Sequence, residues 1–90
     1  MNGWEWTGTA PGATGTGVSD DEDKARAAAE DWLRANPGGT AVLGPAWLDI
    51  DLRALWATWR PYGQRERSKR LPDGRITWVP VPASQQAGAA

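Results

Sequence analysis

Cysteine and histidine are both missing from this 90-residue chain. Without them there is no disulfide, thiolate nucleophile, zinc finger, imidazole acid–base catalyst or histidine pH switch. Long apolar runs are missing too. No stretch reaches the roughly eighteen apolar residues of a membrane span, and no charged segment followed by a short apolar core opens the chain. The expectation is a soluble, unexported, cytoplasmic protein with no membrane partner. Phenylalanine is also absent, whereas tryptophan occurs seven times. A chain this short buries only about 60–65% of its unfolded surface, and each Trp removes roughly 150–250 Å² from water. Trp is therefore expected to fill the places that Phe and Leu fill elsewhere.

Net charge is low, −1, but the charges are segregated. Residues 1–52 carry nine acids against three cations, net −6, whereas residues 53–90 carry seven cations against two acids, net +5. Two halves of opposite sign either attract each other within the fold or offer the basic half to an anionic partner.

The basic half is organised around a hairpin signal. In Leu71-Pro72-Asp73-Gly74-Arg75, Pro presets φ at the first turn position, Asp suits the second and Gly allows a positive φ at the third. A three-residue loop with a bulge follows, and it pairs Arg70 with Ile76, Lys69 with Thr77, Ser68 with Trp78 and Arg67 with Val79. The first arm, Gln64 to Arg70, is too charged to be buried on both faces, so it is expected at an edge or as a protruding arm.

Upstream, Gly3 to Ala10 alternates Trp4, Trp6, Gly8 and Ala10 with polar residues, the period of a half-buried strand. Residues 11–18, rich in Gly, predict a flexible loop. Gly12 to Ser19 also fits the phosphate-loop spacing GxxxxGK[ST] except at the lysine, which is Val18 here. Without that ammonium and its parallel sheet, nucleotide binding is not supported. Ser19-Asp20-Asp21-Glu22 has the form of a capping box and opens a helix over about 19–36, ended by Asn36-Pro37-Gly38-Gly39. Its Ala25, Ala28, Ala29 and Trp32 share a face, so the helix is expected to approach a sheet closely with Trp32 as anchor.

Thr40 to Leu43 and Ala46 to Leu52 read as strand segments. In the second, Leu48, Ile50 and Leu52 alternate with Asp49 and Asp51, although Leu48, Leu52, Leu55 and Trp59 also have helical spacing. The strict alternation favours the strand through Asp51, leaving Arg53 to Trp59 as a helical turn or the start of another strand. Pro82 to Ala90 reads as a disordered tail. The fold expected is a single α+β domain over 1–81, in two layers, with one helix on an antiparallel sheet of three to four strands in the order β-α-β-β-β.

No residue pattern supports an enzyme, a cofactor or a metal site. The acids at the helix start point in different directions, and Asp49 and Asp51 lack further ligands at a recognisable spacing. The residues best suited to a partner are Trp56, Trp59, Arg60, Tyr62, Arg65, Arg67, Lys69, Arg70, Arg75 and Trp78. Trp, Tyr and Arg dominate protein-binding hot spots, so the leading reading is a protein-interaction module, an adaptor or inhibitor. The alternative is nucleic-acid binding through the basic hairpin arm 60–75, with phosphates held by Arg and bases stacked on aromatic rings. The direction of the rings separates the two. Exposed rings surrounded by Arg favour nucleic acid, whereas exposed rings on the face away from Arg67 and Lys69 favour a protein.

Overall fold

The computed structural model describes residues 2–81, so the expected tail at 82–90 lies outside the described residues. The elements run β1 (Asn2–Ala10), β2 (Ala13–Ser19), α1 (Glu22–Ala35), β3 (Thr40–Asp51), β4 (Trp56–Pro61), β5 (Glu66–Arg70) and β6 (Ile76–Pro80). One helix on an antiparallel sheet is the α+β architecture expected from the sequence. Among the described residues, however, the sheet has six strands rather than three to four, and the order is β-β-α-β-β-β-β.

The extra strand at the front is the Gly-rich stretch. Residues 13–19 form no flexible loop but pair with β1 along their whole length, from Ala10 with Ala13 to Trp4 with Ser19. Pro11 and Gly12 make the turn, Gly12 taking φ +75° as its position requires. The glycines serve the helix. Opposed residues share a face, so Gly8 and Gly15 lie together beneath Trp32, and Gly17 lies beneath Trp6. A Cβ at Gly15 would stand 2.4 Å from Trp32 Nε1, and one at Gly8 2.6 Å from Trp32 Cζ3. Composition signals flexibility here, but the missing side chains instead make a floor for two indoles, whose centroids lie 6.1 Å apart at 48°.

Helix α1 starts two residues later than the capping box suggests. Ser19 is held in the β2 ladder opposite Trp4, and Asp21 becomes the N-cap, its Oδ1 accepting from Asp23 N and Lys24 N. Asn36 closes the helix and donates from Nδ2 to the Trp32 carbonyl. Ala25, Ala29 and Leu33 are buried against Trp6, Ala41 and Leu43, so small residues set the close approach and each buried Leu adds about 1.5–3 kcal/mol.

Strand β3 is the spine, continuous over twelve residues through Gly44-Pro45, and the helical alternative for 45–59 is not realised. On one side it pairs with β1 as far as Trp47. On the other it pairs first with β5, at Val42 and Leu43, and then with β4, from Ala46 to Asp51. Pro45 sits where β5 gives way to β4. Its missing N–H faces the gap between them, and its carbonyl accepts from Tyr62 N at 3.0 Å.

The final hairpin has the register read from the sequence, Arg70 with Ile76 through Arg67 with Val79. Its loop closes through Leu71 N to Arg75 O, 2.7 Å, with Gly74 at φ +91°. The first arm is not the edge, however. The order β2-β1-β3-β5-β6 places β5 inside and β6 outside. The charge is tolerated because it alternates. Ser68 is buried beneath the helix, where its Oγ accepts from Ala41 N, while Arg67 and Lys69 project from the face that no helix covers.

Candidate partner-binding site

Beyond Trp47 the sheet narrows to two strands. The pairing of β1 with β3 reaches Asn2 opposite Trp47, and among the described residues Leu48 to Asp51 and Trp56 to Trp59 form a ribbon whose two strands pair only with each other. Four residues of β3 carry this arm about 13 Å past the end of β1 before the turn at 52–55. Asp51 Oδ1 accepts from Arg53 N and Ala54 N and shapes the turn, and Leu55 takes φ +58°. That left-handed conformation costs a non-glycine residue roughly 1–2 kcal/mol.

The two faces of the arm differ. Pairing puts Leu48, Ile50, Ala57 and Trp59 on the open face of the sheet, and Trp47, Asp49, Asp51, Trp56, Thr58 and Arg60 on the face that α1 covers farther down. The open side is wholly apolar, and the leucines of the turn extend it. Leu55 is 87% exposed, Leu52 80% and Ile50 58%, and Trp56, on the opposite face, is 42% exposed. On the other side Arg60 Nε meets Asp49 Oδ2 at 2.5 Å. Asp49 and Asp51, paired by position in the sequence, thus have separate roles as counter-ion and turn cap. Among the described residues no three acids come close enough together to hold a metal ion. Among the described residues no helix is long and apolar enough to cross a membrane.

The ten residues singled out from the sequence are dispersed by the fold. Trp78 packs against the core, donates from Nε1 to Glu30 Oε2 at 2.9 Å and lies 5.9 Å from the Arg26 guanidinium. Arg70 Nη2 donates to the carbonyl of Leu33 in the last turn of α1, 2.9 Å, where the helix dipole favours a cation. Arg65 lies flat over Gly44, where an added Cβ would meet its Nη1 at 2.8 Å. Burial holds this guanidinium below its ordinary pKa, opposed by the nearby Glu5 carboxylate, and its Nη1 has no hydrogen-bond partner among the described residues. These three side chains are structural members.

Of the others, Arg75 is tied to Asp73 in its own turn at 2.6 Å. Arg67 and Lys69 stand exposed on the open face. Trp59 is half-buried there, its ring 3.2 Å from where a Cβ on Gly3 would be. Trp56 and Tyr62 are exposed, and Trp56 lies on the face away from Arg67 and Lys69. The segregated charges are used inside the fold where Arg60 joins Asp49, whereas Arg26 and Glu66, which meet at 2.7 Å, are the minority charges of their halves. A single basic surface with interleaved rings is therefore not assembled.

Ile50, Leu52 and Leu55, exposed on the arm, are not among the partner-binding residues expected from the sequence. The alternation of Ile50 and Leu52 with Asp49 and Asp51 is visible in the sequence, but alternation marks an apolar face without saying whether anything covers it. Searches against protein-family models, curated proteins and solved structures find no match to this chain.

Proposed function

We propose that this chain is a small non-enzymatic protein-interaction domain, an adaptor or inhibitor, whose partner docks on the β3–β4 arm. The observation that carries the reading is the arm itself: a two-stranded ribbon with an exposed apolar face and a tip bearing two leucines nearly free of contacts. Exposed, contiguous large apolar side chains of this kind mark interaction surfaces, and isolated two-stranded ribbons are marginal in water without a third element. Trp56, next to the leucines of the tip, supplies a hot-spot residue type on β4, with Arg60 at the rim. Its position on the face away from Arg67 and Lys69 favours a protein over phosphate recognition.

The test is an amide-resonance titration with a short mixed-sequence duplex and a single strand, at low and moderate salt. A parallel capture experiment compares the wild type with the Leu52→Asp/Leu55→Asp variant in extract of the source cells. Silence toward nucleic acid, with proteins retained by the wild type and lost by the variant, supports the reading. Shifts confined to residues 60–78 that weaken steeply with salt would overturn it in favour of phosphate contact.

A further inference from the structure

The outer edge of β4 is unpaired among the described residues, since β4 pairs only with β3. Backbone groups of an antiparallel strand alternate between its two sides. Tyr62 N bonds to Pro45 O, so Tyr62, Arg60, Thr58 and Trp56 turn their backbone groups toward β3. Ala57 and Trp59 therefore present N–H and C=O outward. Pro61, the next outward residue, has no N–H to offer, and Leu55 on the other flank leaves the strand at φ +58°. The segment Trp56-Ala57-Thr58-Trp59-Arg60 has no lysine, bulge or internal proline, and its one charge, Arg60, is held by Asp49 of β3, so its outward backbone groups are an open template for another strand.

We infer that this edge pairs with the same edge of a second copy of the chain, β4 against β4 about a two-fold axis through Thr58. The inference rests on the reading of the arm as a protein-docking surface and names the partner. The register follows from the free groups. Centring on Thr58 sets Ala57 opposite Trp59 of the second copy, and the four outward N–H groups of the two strands all find carbonyls. Centring on Trp59 would oppose Ala57 to Pro61, which has no donor, and centring on Ala57 would oppose Trp59 to the left-handed Leu55.

Side chains fit the same register. On the apolar face, each Trp59 lies beside the small Ala57 of the other copy, so large meets small. On the opposite face, Trp56 lies across from Arg60 of the second copy, a ring beside a guanidinium, and next to it on β3 is Asp51. The two threonines meet at the axis as a non-hydrogen-bonded pair, the closest kind of cross-strand approach. The arm carries Asp49 and Asp51 against Arg53 and Arg60, so two copies meet without net repulsion. An axis perpendicular to the sheet keeps both apolar faces on one side, where Leu48, Ile50, Ala57 and Trp59 of the two copies form one surface.

The natural chain has no cysteine, so Thr58→Cys places a single thiol at the axis. Under mild oxidation it is expected to cross-link as a disulfide dimer at least tenfold faster than Lys69→Cys, an exposed thiol far from the arm. Cross-strand partners at a non-hydrogen-bonded site lie within disulfide reach. Sedimentation equilibrium of the full chain is expected to show a monomer–dimer equilibrium. Ala57→Pro, which removes an outward N–H and no hydrogen bond to β3, and Thr58→Lys, which sets like charges at the axis, should each weaken it at least tenfold while leaving the circular dichroism spectrum unchanged. A wild type that stays monomeric to millimolar concentration, or equal cross-linking of the two thiols, overturns the dimer. In that case silence toward nucleic acid in the titration above leaves the protein-docking reading standing. Salt-sensitive shifts at 60–78 overturn that reading whatever the oligomeric state.

Discussion

Replacing Gly15 by alanine puts one methyl group into the tightest packing in the molecule. The added Cβ would stand 2.4 Å from Trp32 Nε1 and 2.7 Å from its Cδ1, whereas unstrained carbon contacts need about 3.5–4.0 Å. The indole must move by about 1 Å. It cannot slide freely, because Gly8 lies under the same ring and Trp6 packs 6.1 Å away. Overpacking of this size costs about 1–3 kcal/mol. Against it stands a gain of about 0.4–1 kcal/mol from the stiffer unfolded chain, since Gly15 is not among the glycines with positive φ. The net expectation is a loss of about 1–2 kcal/mol, or roughly 5–15 °C in Tm for a domain of this size. Urea unfolding followed by far-UV circular dichroism, at unchanged m, measures it. The Trp32→Leu background supplies the control: once the ring is gone, Gly15→Ala should cost nothing, a coupling of at least about 1 kcal/mol. An alanine variant as stable as the wild type, or one equally destabilised in both backgrounds, would refute the view that these glycines exist to seat the indole.

Three further perturbations have definite signs. Ser68→Ala leaves the buried N–H of Ala41 without its 2.9 Å acceptor and should cost about 1–3 kcal/mol, while Ser68→Thr, which keeps the hydroxyl, should cost less; denaturant midpoints of the pair decide this. Asp21→Ala removes the N-cap of α1 and should cost about 1 kcal/mol in thermal unfolding, with Asp21→Asn retaining most of the stability and Ser19→Ala losing much less. Leu55→Gly relieves a left-handed backbone at an 87% exposed site. It should raise stability by up to about 1 kcal/mol, and a loss of stability would mean that the leucine side chain is held by contacts within the monomer.

Much of the local structure follows from short stretches of sequence. The turn at 72–74 and the register of its hairpin come from Pro, Asp and Gly at fixed offsets, because those three residues restrict φ whatever surrounds them. The helix and its Ala face come from spacing and from acids at its start, again local causes. The helix boundary moved from Ser19 to Asp21 because strand pairing competes with capping, and pairing is a long-range contact.

The remainder required the tertiary structure, each time because one residue pattern serves two ends. Glycine means freedom in an isolated chain, but beneath Trp32 and Trp6 it means room, and only the packed helix distinguishes the two. A run of cations reads as one surface in sequence. Alternation along β5 then sends Arg70 to the helix end and Arg67 and Lys69 to the opposite face, and Arg65 is folded down over Gly44. The apolar alternation of Leu48, Ile50 and Leu52 was legible in the sequence, since periodicity belongs to the strand itself. Whether that face is covered depends on where neighbouring strands stop. Among the described residues no strand but β4 pairs with β3 beyond Trp47, and the same residues that a further strand would help to cover stand in an exposed arm.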